Sequence, residues 1–517
     1  MPPFVSVLVL LIVISPPPPG SWSQCVSIFW KTFLSMNRAS VAAGVPPPGP
    51  PGSWLANRSI LNQHPPMPSP CFSPRRSFAP LASLMATLVL PIALPADTVA
   101  DRKGAVLKDR ELLGEDPRWI YDDYERAFAE GKRTGKPVLV VLRCIPCLAC
   151  VGIDSALLLE HSSLAAVLDR FVCVRVVNAN ALDLSRFEFD FDLSFSALIF
   201  NGDGTLYGRF GSWTHQKNPI DNGTDGLRDT LEKALALHGE YPANKSSLAG
   251  KQAHPSPYKT PVDMPTLAGK YTTELDWEGQ VVKSCVHCHQ IGDALRSEVR
   301  QRKERLPSKL VFPFPGPETV GLELNPKSAA TLQTIIPGSA AEKAGLQAKD
   351  QLASLGGQPI VSSADVSWVL HHAPDTGSLP VMVRRGANTV SASLELAPGW
   401  RTHADISRRV GTWSMRAMAL GGLLLEDLSD AQREARGLGK QGLALLVKHV
   451  GEYNEHAAAK KAGFRKDDVI VAAASSSQRE SESALIGRLL AQFQPGDSVP
   501  ATVLRGSERL ELKWPIQ

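Results

Sequence analysis

The C-terminal part of the chain contains one short unit twice, and this repeat strongly limits the folds available to it. The first copy runs from Pro337 to Leu352 and the second from Glu455 to Ile470. In each copy small residues of helical character end at Ala-Gly, and an aspartate then leads into an apolar strand. A strand ending at a glycine turn follows each copy, at Pro380 to Arg384 and at Val499 to Leu504. The repeat predicts two copies of one mainly-β module.

Both copies resemble PDZ domains, over about Glu318 to Leu396 and about Leu420 to Trp514, and we expect module boundaries at 311–398 and 399–517. The resemblance implies that a peptide adds as a strand to a sheet edge, while backbone N–H groups hold its terminal carboxylate. It implies a groove helix from Ala364 to His372 and a peptide site in the first copy, at Gly321, Leu322, Glu323 and Leu324. Since fold does not establish function, packing modules with an unused groove are the alternative.

Near the middle of the chain stands Cys285-Val286-His287-Cys288-His289. Cys-x-x-Cys-His is the attachment signature of a c-type haem, so the sequence predicts covalent haem c on Cys285 and Cys288, with His289 as an iron ligand. No second axial ligand can be assigned. Half of a zinc site, or a loop with two thiols and no cofactor, are the alternatives that a short motif leaves open.

A second cysteine motif follows a buried strand. Val138 to Leu142 is an unbroken apolar run typical of a strand covered on both faces, and Cys144, Cys147 and Cys150 come next, leading into a helical segment. Unpaired N–H groups at a helix start favour a thiolate. We therefore predict Cys147 as the attacking thiolate and Cys150 as the resolving thiol.

Two other interpretations of these thiols stay open. They form a structural disulfide or a vestigial site, or the three thiols hold Cu(I). Cys173, on a later apolar strand, is expected to be inert core.

The segment from about Asp116 to Gly239 resembles the thioredoxin-like superfamily, and we expect an α/β domain at 101–240. The resemblance rests on an apolar pattern from Trp119 that predicts a helix closing at 131–135, on Gly135-Lys136-Pro137, on the pair Cys147 and Cys150, and on the hairpin at Phe200 to Gly204. Two departures concern the site itself. Phe195 stands where thioredoxins place a cis-proline, and Pro146 precedes Cys147 in place of tryptophan.

Residues 1–100 are rich in proline, and no packed core is expected there. An apolar run from Leu81 to Leu94 follows Arg75-Arg76 and precedes Ala96, which is the order of a secretory signal peptide at about 75–100. We expect a functional start at Met67 or Met85 and export to the periplasm or cell envelope. The alternative is an uncleaved run that anchors the protein in the membrane.

Residues 241–310 are predicted to be an extended proline-rich linker that carries the haem motif and a helix from about Asp293 to Arg305. The net charge of +4 over 517 residues is small and does not indicate a nucleic-acid partner. The order of modules, together with Trp400-Arg401, Asp405-Ile406 and Trp413, is similar to an uncharacterised family of exported bacterial proteins.

The sequence thus predicts a multidomain protein, with a thioredoxin-like α/β domain followed by two PDZ domains. The function we expect is that of an exported redox protein with a thiol module and haem c that docks partner proteins through its PDZ domains. Its candidate enzymatic activity is that of a thiol-disulfide oxidoreductase. The rival hypothesis is a non-catalytic PDZ adaptor with a degenerate thioredoxin fold and no cofactor.

Overall fold

The computed structural model describes residues 99–146, 153, 157, 164–211, 224–328 and 330–517. The predicted signal peptide and the predicted redox pair, Cys147 and Cys150, lie outside these residues. Within the described ranges, no helix combines the length and the apolarity needed to cross a membrane.

A five-stranded sheet of order β1-β3-β2-β4-β5 forms the centre of the first module. The first three strands in this order run parallel, and the last two join antiparallel. Every residue of β2, β3 and β4 is buried, which agrees with the continuous apolar runs in the sequence. The strands are β1 (Trp119–Tyr121), β2 (Val138–Arg143), β3 (Val172–Val176), β4 (Phe195–Phe200) and β5 (Leu206–Phe210).

The helix predicted from Trp119 was placed too early. Trp119 belongs to β1 and pairs with Cys173 of β3, whereas the helix begins at Tyr124. The side chain of Asp123 accepts a hydrogen bond from the Arg126 N–H at 2.9 Å and so caps the helix N-terminus there. The apolar residues across 119–128 therefore belong to two elements, a strand and the first turn of a helix, and not to one helix.

Helices cover both faces of this sheet, and α1 lies before Asp116, where the thioredoxin-like resemblance begins. Asp109 of α1 is buried and accepts hydrogen bonds from Arg175 Nη2 at 2.5 Å and from the Tyr121 hydroxyl at 3.0 Å, which ties α1 to the sheet. Ile153 and Leu157 are helical and buried against the same core. The helices are α1 (Val99–Gly114), α2 (Tyr124–Thr134), α3 (Ala165–Leu168) and α4 (Asp225–Gly239).

Residues 241–310 are packed rather than extended. Their prolines fit short helical turns, as at Pro261, while Met264, Leu267, Val286 and Ile291 form a buried cluster. The segment contains α5 (Val281–Ser284), α6 (Cys288–Gln301) and α7 (Ser308–Val311), and 3-10 turns at Lys245–Lys251 and Pro261–Asp263.

Two β-sheet-rich modules follow. The first has a two-stranded sheet, β6-β7, and a four-stranded sheet of order β11-β10-β8-β9; the second has one five-stranded sheet of order β12-β13-β14-β15-β16. The first comprises β6 (Leu322–Leu324), β7 (Leu332–Ile335), α8 (Ala340–Lys343), β8 (Gln351–Leu355), β9 (Gln358–Pro359), α9 (Ser363–His372), β10 (Gly377–Arg385) and β11 (Asn388–Leu396). The second comprises α10 (Thr412–Leu420), β12 (Leu423–Asp427), α11 (Asp430–Glu434), β13 (Leu445–Val450), α12 (Ala458–Lys461), β14 (Val469–Ala473), α13 (Glu482–Gln492), β15 (Ser498–Arg505) and β16 (Glu508–Pro515).

The repeat extends to individual hydrogen bonds. Arg385 holds Asp350 through Nε at 2.8 Å and Nη2 at 2.7 Å, and Arg505 holds Asp468 at 2.8 and 2.9 Å. Each arginine also donates to the carbonyl of the glycine that ends the repeated helix, at 2.9 Å in the first copy and 2.8 Å in the second. The repeated aspartate and the strand-end arginine therefore form the same ion pair in each module, and we call this pair the arginine bracket.

Buried ion pairs join the first module to both β modules. Asp365 of α9 lies 2.7 Å from Lys251 Nζ and accepts from the Arg209 backbone N–H at 3.2 Å. Arg409, just before α10, pairs with Asp190 and, at 2.9 Å, with Asp192. Because an unpaired buried charge is costly, these pairs hold the modules in a defined arrangement.

Candidate redox site

The candidate site lies at the end of β2, where Cys144 directly follows the last residue of the strand. Arg143 closes the strand opposite Phe195 of β4, and the backbone N–H of Cys144 donates to the Ser194 carbonyl at 3.1 Å. Cys144 therefore leaves the sheet next to the start of β4.

The Cys285-to-His289 motif packs against this same edge. Asn180, which is fully buried in the loop after β3, donates from Nδ2 to the carbonyl oxygens of Ser284 at 2.8 Å and Thr272 at 2.7 Å. Its Oδ1 accepts from the Val286 N–H at 2.6 Å. One side chain of the first module thus holds the backbone on both sides of Cys285.

Cys288 begins α6, a helix of 14 residues. The side chain of Gln290 accepts from the His287 N–H at 2.8 Å and donates to the Tyr271 hydroxyl at 3.0 Å, which fixes the helix start. Cys288 is buried among residues of the first module's core. The helix N-terminus favours a negative charge on its sulfur, as it does for reactive cysteines in general.

Cys144, Cys285 and Cys288 line one small cavity together with Pro146, the residue before Cys147. At its edge, Sγ of Cys144 lies 3.2 Å from Nδ1 of His287. Burial, followed by the nearby His289 and Arg102, lowers the pKa of His287 to about 4. The imidazole is therefore neutral at pH 7. Its contact with the Cys144 sulfur is a hydrogen bond and not an ion pair.

The Cys285 thiol is held in its protonated form. Burial, followed by the neighbouring Cys144, raises the pKa of Cys285 to about 12. Its Sγ lies 3.9 Å from the Val177 carbonyl and 3.5 Å from the Val286 carbonyl. Cys285 is therefore a poor nucleophile until a base removes its proton.

The residues predicted to hold haem do not fit it in this packing. The cavity beside Cys285 and Cys288 has a volume of about 10 Å³, room for about one water molecule. Sites for organic cofactors and ligands occupy roughly 300–1,000 Å³. His289, the predicted iron ligand, is half-buried and its ring centroid lies 5.8 Å from that of His287. Haem attachment stays a prediction. It would require the Cys285-to-His289 motif to move away from the first module, because the cavity beside the two cysteines is too small for haem.

The predicted peptide site lies on a strand with one open edge among the described residues. Gly321 has φ +90°, Leu322 is fully buried, and β6 pairs with β7 alone in a two-stranded sheet. In the second module the corresponding edge strand, β12, is contacted by its own helix, since the Leu425 N–H donates to Glu482 Oε1 at 2.8 Å. The edges of the two modules therefore differ in accessibility.

Sequence reasoning missed Asn180 and the role of His287. Asn180 lies in an ordinary Asn-Ala-Asn loop, and no local signal marks it as the residue that holds a segment 100 positions away. Cys173, expected to be inert core, is buried on β3, and burial raises its pKa to about 12.

Comparisons with known proteins place one region in a family. Residues 119–202 match the family model described as Thioredoxin-like. Among curated proteins, none matches the chain.

Two solved structures of an HtrA-type protease, AlgW, each with a decapeptide, are similar in part. The first, a variant, has 15% identity and a TM-score of 0.18, and the match covers 27% of this chain and 40% of that chain. The second has 14% identity and a TM-score of 0.17, with 32% and 54% covered. This chain thus spans about half or less of either protease, and these scores are too low to establish a shared fold.

Proposed function

We propose that the protein is a thiol-disulfide redox protein in which the thioredoxin-like cysteines and the Cys285/Cys288 pair form one redox centre. The observation that carries the proposal is the contact between Cys144 and His287, at 3.2 Å, beside a cavity that Cys144, Cys285 and Cys288 share. On this proposal the Cys285/Cys288 dithiol, which packs beside Cys144, is the pair that exchanges with the thioredoxin-like cysteines.

The proposed reaction is a pair of thiol-disulfide exchanges. The Cys147 thiolate attacks one sulfur of a disulfide in a partner protein, and the partner's other sulfur leaves as a thiolate and takes up a proton. Cys150 then attacks the mixed disulfide and releases the partner's second sulfur, so that the partner gains two electrons and two protons. The Cys285/Cys288 dithiol re-reduces the Cys147–Cys150 disulfide by the same exchange, and an external dithiol protein must in turn reduce it.

His287 and α6 would act on different sulfurs of the proposed centre. The neutral His287 orients the Cys144 thiol, while the N-terminus of α6 favours a thiolate at Cys288. Cys285, whose pKa is raised, would be the second thiol, which becomes nucleophilic only when a base removes its proton.

A disulfide-reduction assay with matched variants tests this proposal. The full chain is first reduced, freed of excess dithiothreitol and then mixed with insulin, because free dithiothreitol would reduce the Cys147–Cys150 disulfide directly and bypass the Cys285/Cys288 pair. Wild type should reduce about two insulin disulfides per molecule, Cys288→Ser about one and Cys147→Ser none. Cys173→Ser, in the core of the same module, should keep the wild-type yield. Equal yields for wild type and Cys147→Ser would exclude thiol exchange at Cys147. Equal yields for wild type and Cys288→Ser would exclude the motif from the exchange.

The same motif is also proposed to accept haem c, as a separate hypothesis with its own test. The chain is expressed with haem-attachment machinery, and the reduced absorbance spectrum is recorded for wild type and for Cys285→Ser/Cys288→Ser. A c-type band that depends on both cysteines would support attachment. Its absence, in a chain that still shows thiol exchange, would leave the motif as a dithiol.

Export and peptide docking complete the proposal. The predicted signal at 75–100 would carry the chain to the periplasm or envelope, where disulfides persist. A partner peptide would pair with β6 at Gly321, Leu322, Glu323 and Leu324, and β12 would bind none while Glu482 holds its edge. Isotope-edited NMR with a peptide library tests this: shifts confined to β12 would contradict it.

A further inference from the structure

Three donor groups meet where the first module, residues 241–310 and the first β module come together. Glu188 lies in the loop before β4, His254 follows the 3-10 turn Lys245–Lys251, and His372 is the last residue of α9. One ligand atom from each lies within 4.8 Å of the others. Nδ1 of His254 is 3.2 Å from Oε2 of Glu188, and Nε2 of His372 is 3.2 Å from Oε1. Each oxygen of one carboxylate thus faces a different imidazole.

The buried imidazole nitrogen of this cluster lacks a satisfactory partner. Nε2 of His372 is shielded from solvent, and among the described residues it makes no hydrogen bond of acceptable geometry, despite its proximity to Glu188. Buried polar atoms are normally satisfied by protein, water or a bound ion. A nitrogen that faces a carboxylate and a second imidazole, without a hydrogen bond of its own, is the arrangement expected of a ligand atom.

Packing holds the two imidazoles together. The rings of His254 and His372 stack with centroids 3.9 Å apart, and Trp368 lies 4.3 Å from His372 and 5.7 Å from His254. The backbone N–H of His254 also donates to Glu188 at 2.7 Å. The donors are therefore positioned by contacts that need no metal, so that little ordering is left for binding to provide.

We propose that Glu188, His254 and His372 bind a divalent transition-metal ion, with Zn²⁺ as the expected occupant. Two imidazole nitrogens and one carboxylate oxygen are a common ligand set for zinc, while Mg²⁺ and Ca²⁺ prefer oxygen alone. The His254 side chain is 56% exposed, so a water molecule can reach the fourth position. The ion would link three separate parts of the chain.

Neighbouring His371 is not part of the site. Its Nδ1 accepts from the Phe314 N–H at 3.3 Å, and its ring stacks on Phe314 at 4.3 Å. This contact turns it toward the module interior, so the ligand set is three side chains.

Metal binding to the full chain tests the proposal, which does not depend on the redox function. Zinc content after dialysis is measured for wild type, His254→Ala, Glu188→Gln and a control, His403→Ala, which replaces an exposed histidine elsewhere. His254→Ala is the decisive variant because its side chain is exposed and its loss should leave the thermal midpoint in EDTA unchanged. We expect wild type and His403→Ala to hold one equivalent more than His254→Ala and Glu188→Gln.

Cobalt separates this site from the cysteines. Co²⁺ bound to nitrogen and oxygen gives weak visible bands, whereas thiolate ligands add intense charge-transfer absorption in the near ultraviolet. The visible bands should disappear in His254→Ala and persist in Cys285→Ser/Cys288→Ser. Equal metal content in wild type and His254→Ala, or binding that shows thiolate absorption only, would overturn the proposal.

Discussion

Sγ of Cys144 and Nδ1 of His287 lie 3.2 Å apart, although 143 positions separate the two residues in the chain. The contact joins the end of a strand in the thioredoxin-like region to a motif that looks, by its local sequence, like an independent cofactor site. Asn180 makes the hydrogen bonds that hold the motif against the thioredoxin-like region. The geometry of the proposed redox centre therefore depends on a residue that takes no part in thiol exchange.

Asn180→Ala should loosen the motif and expose Cys285. The substitution leaves the carbonyl groups of Ser284 and Thr272 and the N–H of Val286 without their partners, and an unsatisfied buried group costs about 1–3 kcal/mol. We expect a loss of about 3 kcal/mol in the free energy of unfolding, measured by urea denaturation, and at least tenfold faster alkylation of Cys285.

The matched control for Asn180 is Asn178→Ala. Asn178 donates one exposed hydrogen bond to the Thr273 carbonyl at 2.9 Å and accepts one from the Asn180 N–H at 3.1 Å, but its side chain does not contact the Cys285-to-His289 motif. It should lose much less stability and should leave Cys285 alkylation close to the wild-type rate. If both variants alkylate at the same rate, Asn180 does not position the motif.

Stability should fall in weak acid because two histidines are buried in their neutral form. Burial lowers the pKa of His287 to about 4 and that of His371 to about 3. Both values lie below the ordinary histidine pKa of about 6.5, so the unfolded chain binds more protons. Their contribution is complete above about pH 6.5 and is lost as pH falls toward 4 for His287 and 3 for His371.

Urea denaturation between pH 7 and 4 measures this dependence. Each titrating histidine adds a slope of up to about 1.4 kcal/mol per pH unit, and His287→Gln should remove its share. His403→Ala, at an exposed position, should keep the wild-type slope. An unchanged slope in His287→Gln would show that His287 is not buried as described.

Arg409→Met should separate the first module from the second β module. Arg409 pairs with Asp190 and Asp192, all three groups are buried, and removal of one partner from a buried pair typically costs about 3–5 kcal/mol. Differential scanning calorimetry should show a lower or a split transition. Arg408→Met, at the exposed neighbouring position, serves as control, and equal transitions in the two variants would refute the prediction.

The repeated arginine brackets should contribute similarly to the two β modules. Arg385→Ala and Arg505→Ala remove the same three hydrogen bonds, two to an aspartate and one to a glycine carbonyl. Each variant should lower the stability of its own module, and the two losses should be similar because the lost contacts are the same. Hydrogen exchange resolves each module separately, and a much larger loss in one copy would show that the brackets are not equivalent.

Much of the local structure follows from the sequence alone. The apolar run from Val138 to Leu142 located β2, the repeat located two β-sheet-rich regions, and the burial of Cys173 followed from its strand. These features depend on side chains that are neighbours along the chain or on a pattern that occurs twice. Trp119 shows the limit of such predictions. Over a stretch as short as 119–128, the apolar spacing of a strand followed by a helix cannot be distinguished from that of one helix.

Only the tertiary structure decided what the Cys285-to-His289 motif contacts. Its residues predict haem when they are considered by themselves, whereas the fold buries them against Cys144 beside a cavity of about 10 Å³. The same holds for Glu188, His254 and His372, each unremarkable in its own segment. A sequence pattern records the chemistry of nearby residues, but a site formed by distant segments depends on packing and on buried hydrogen bonds such as those of Asn180, which carry no local signature.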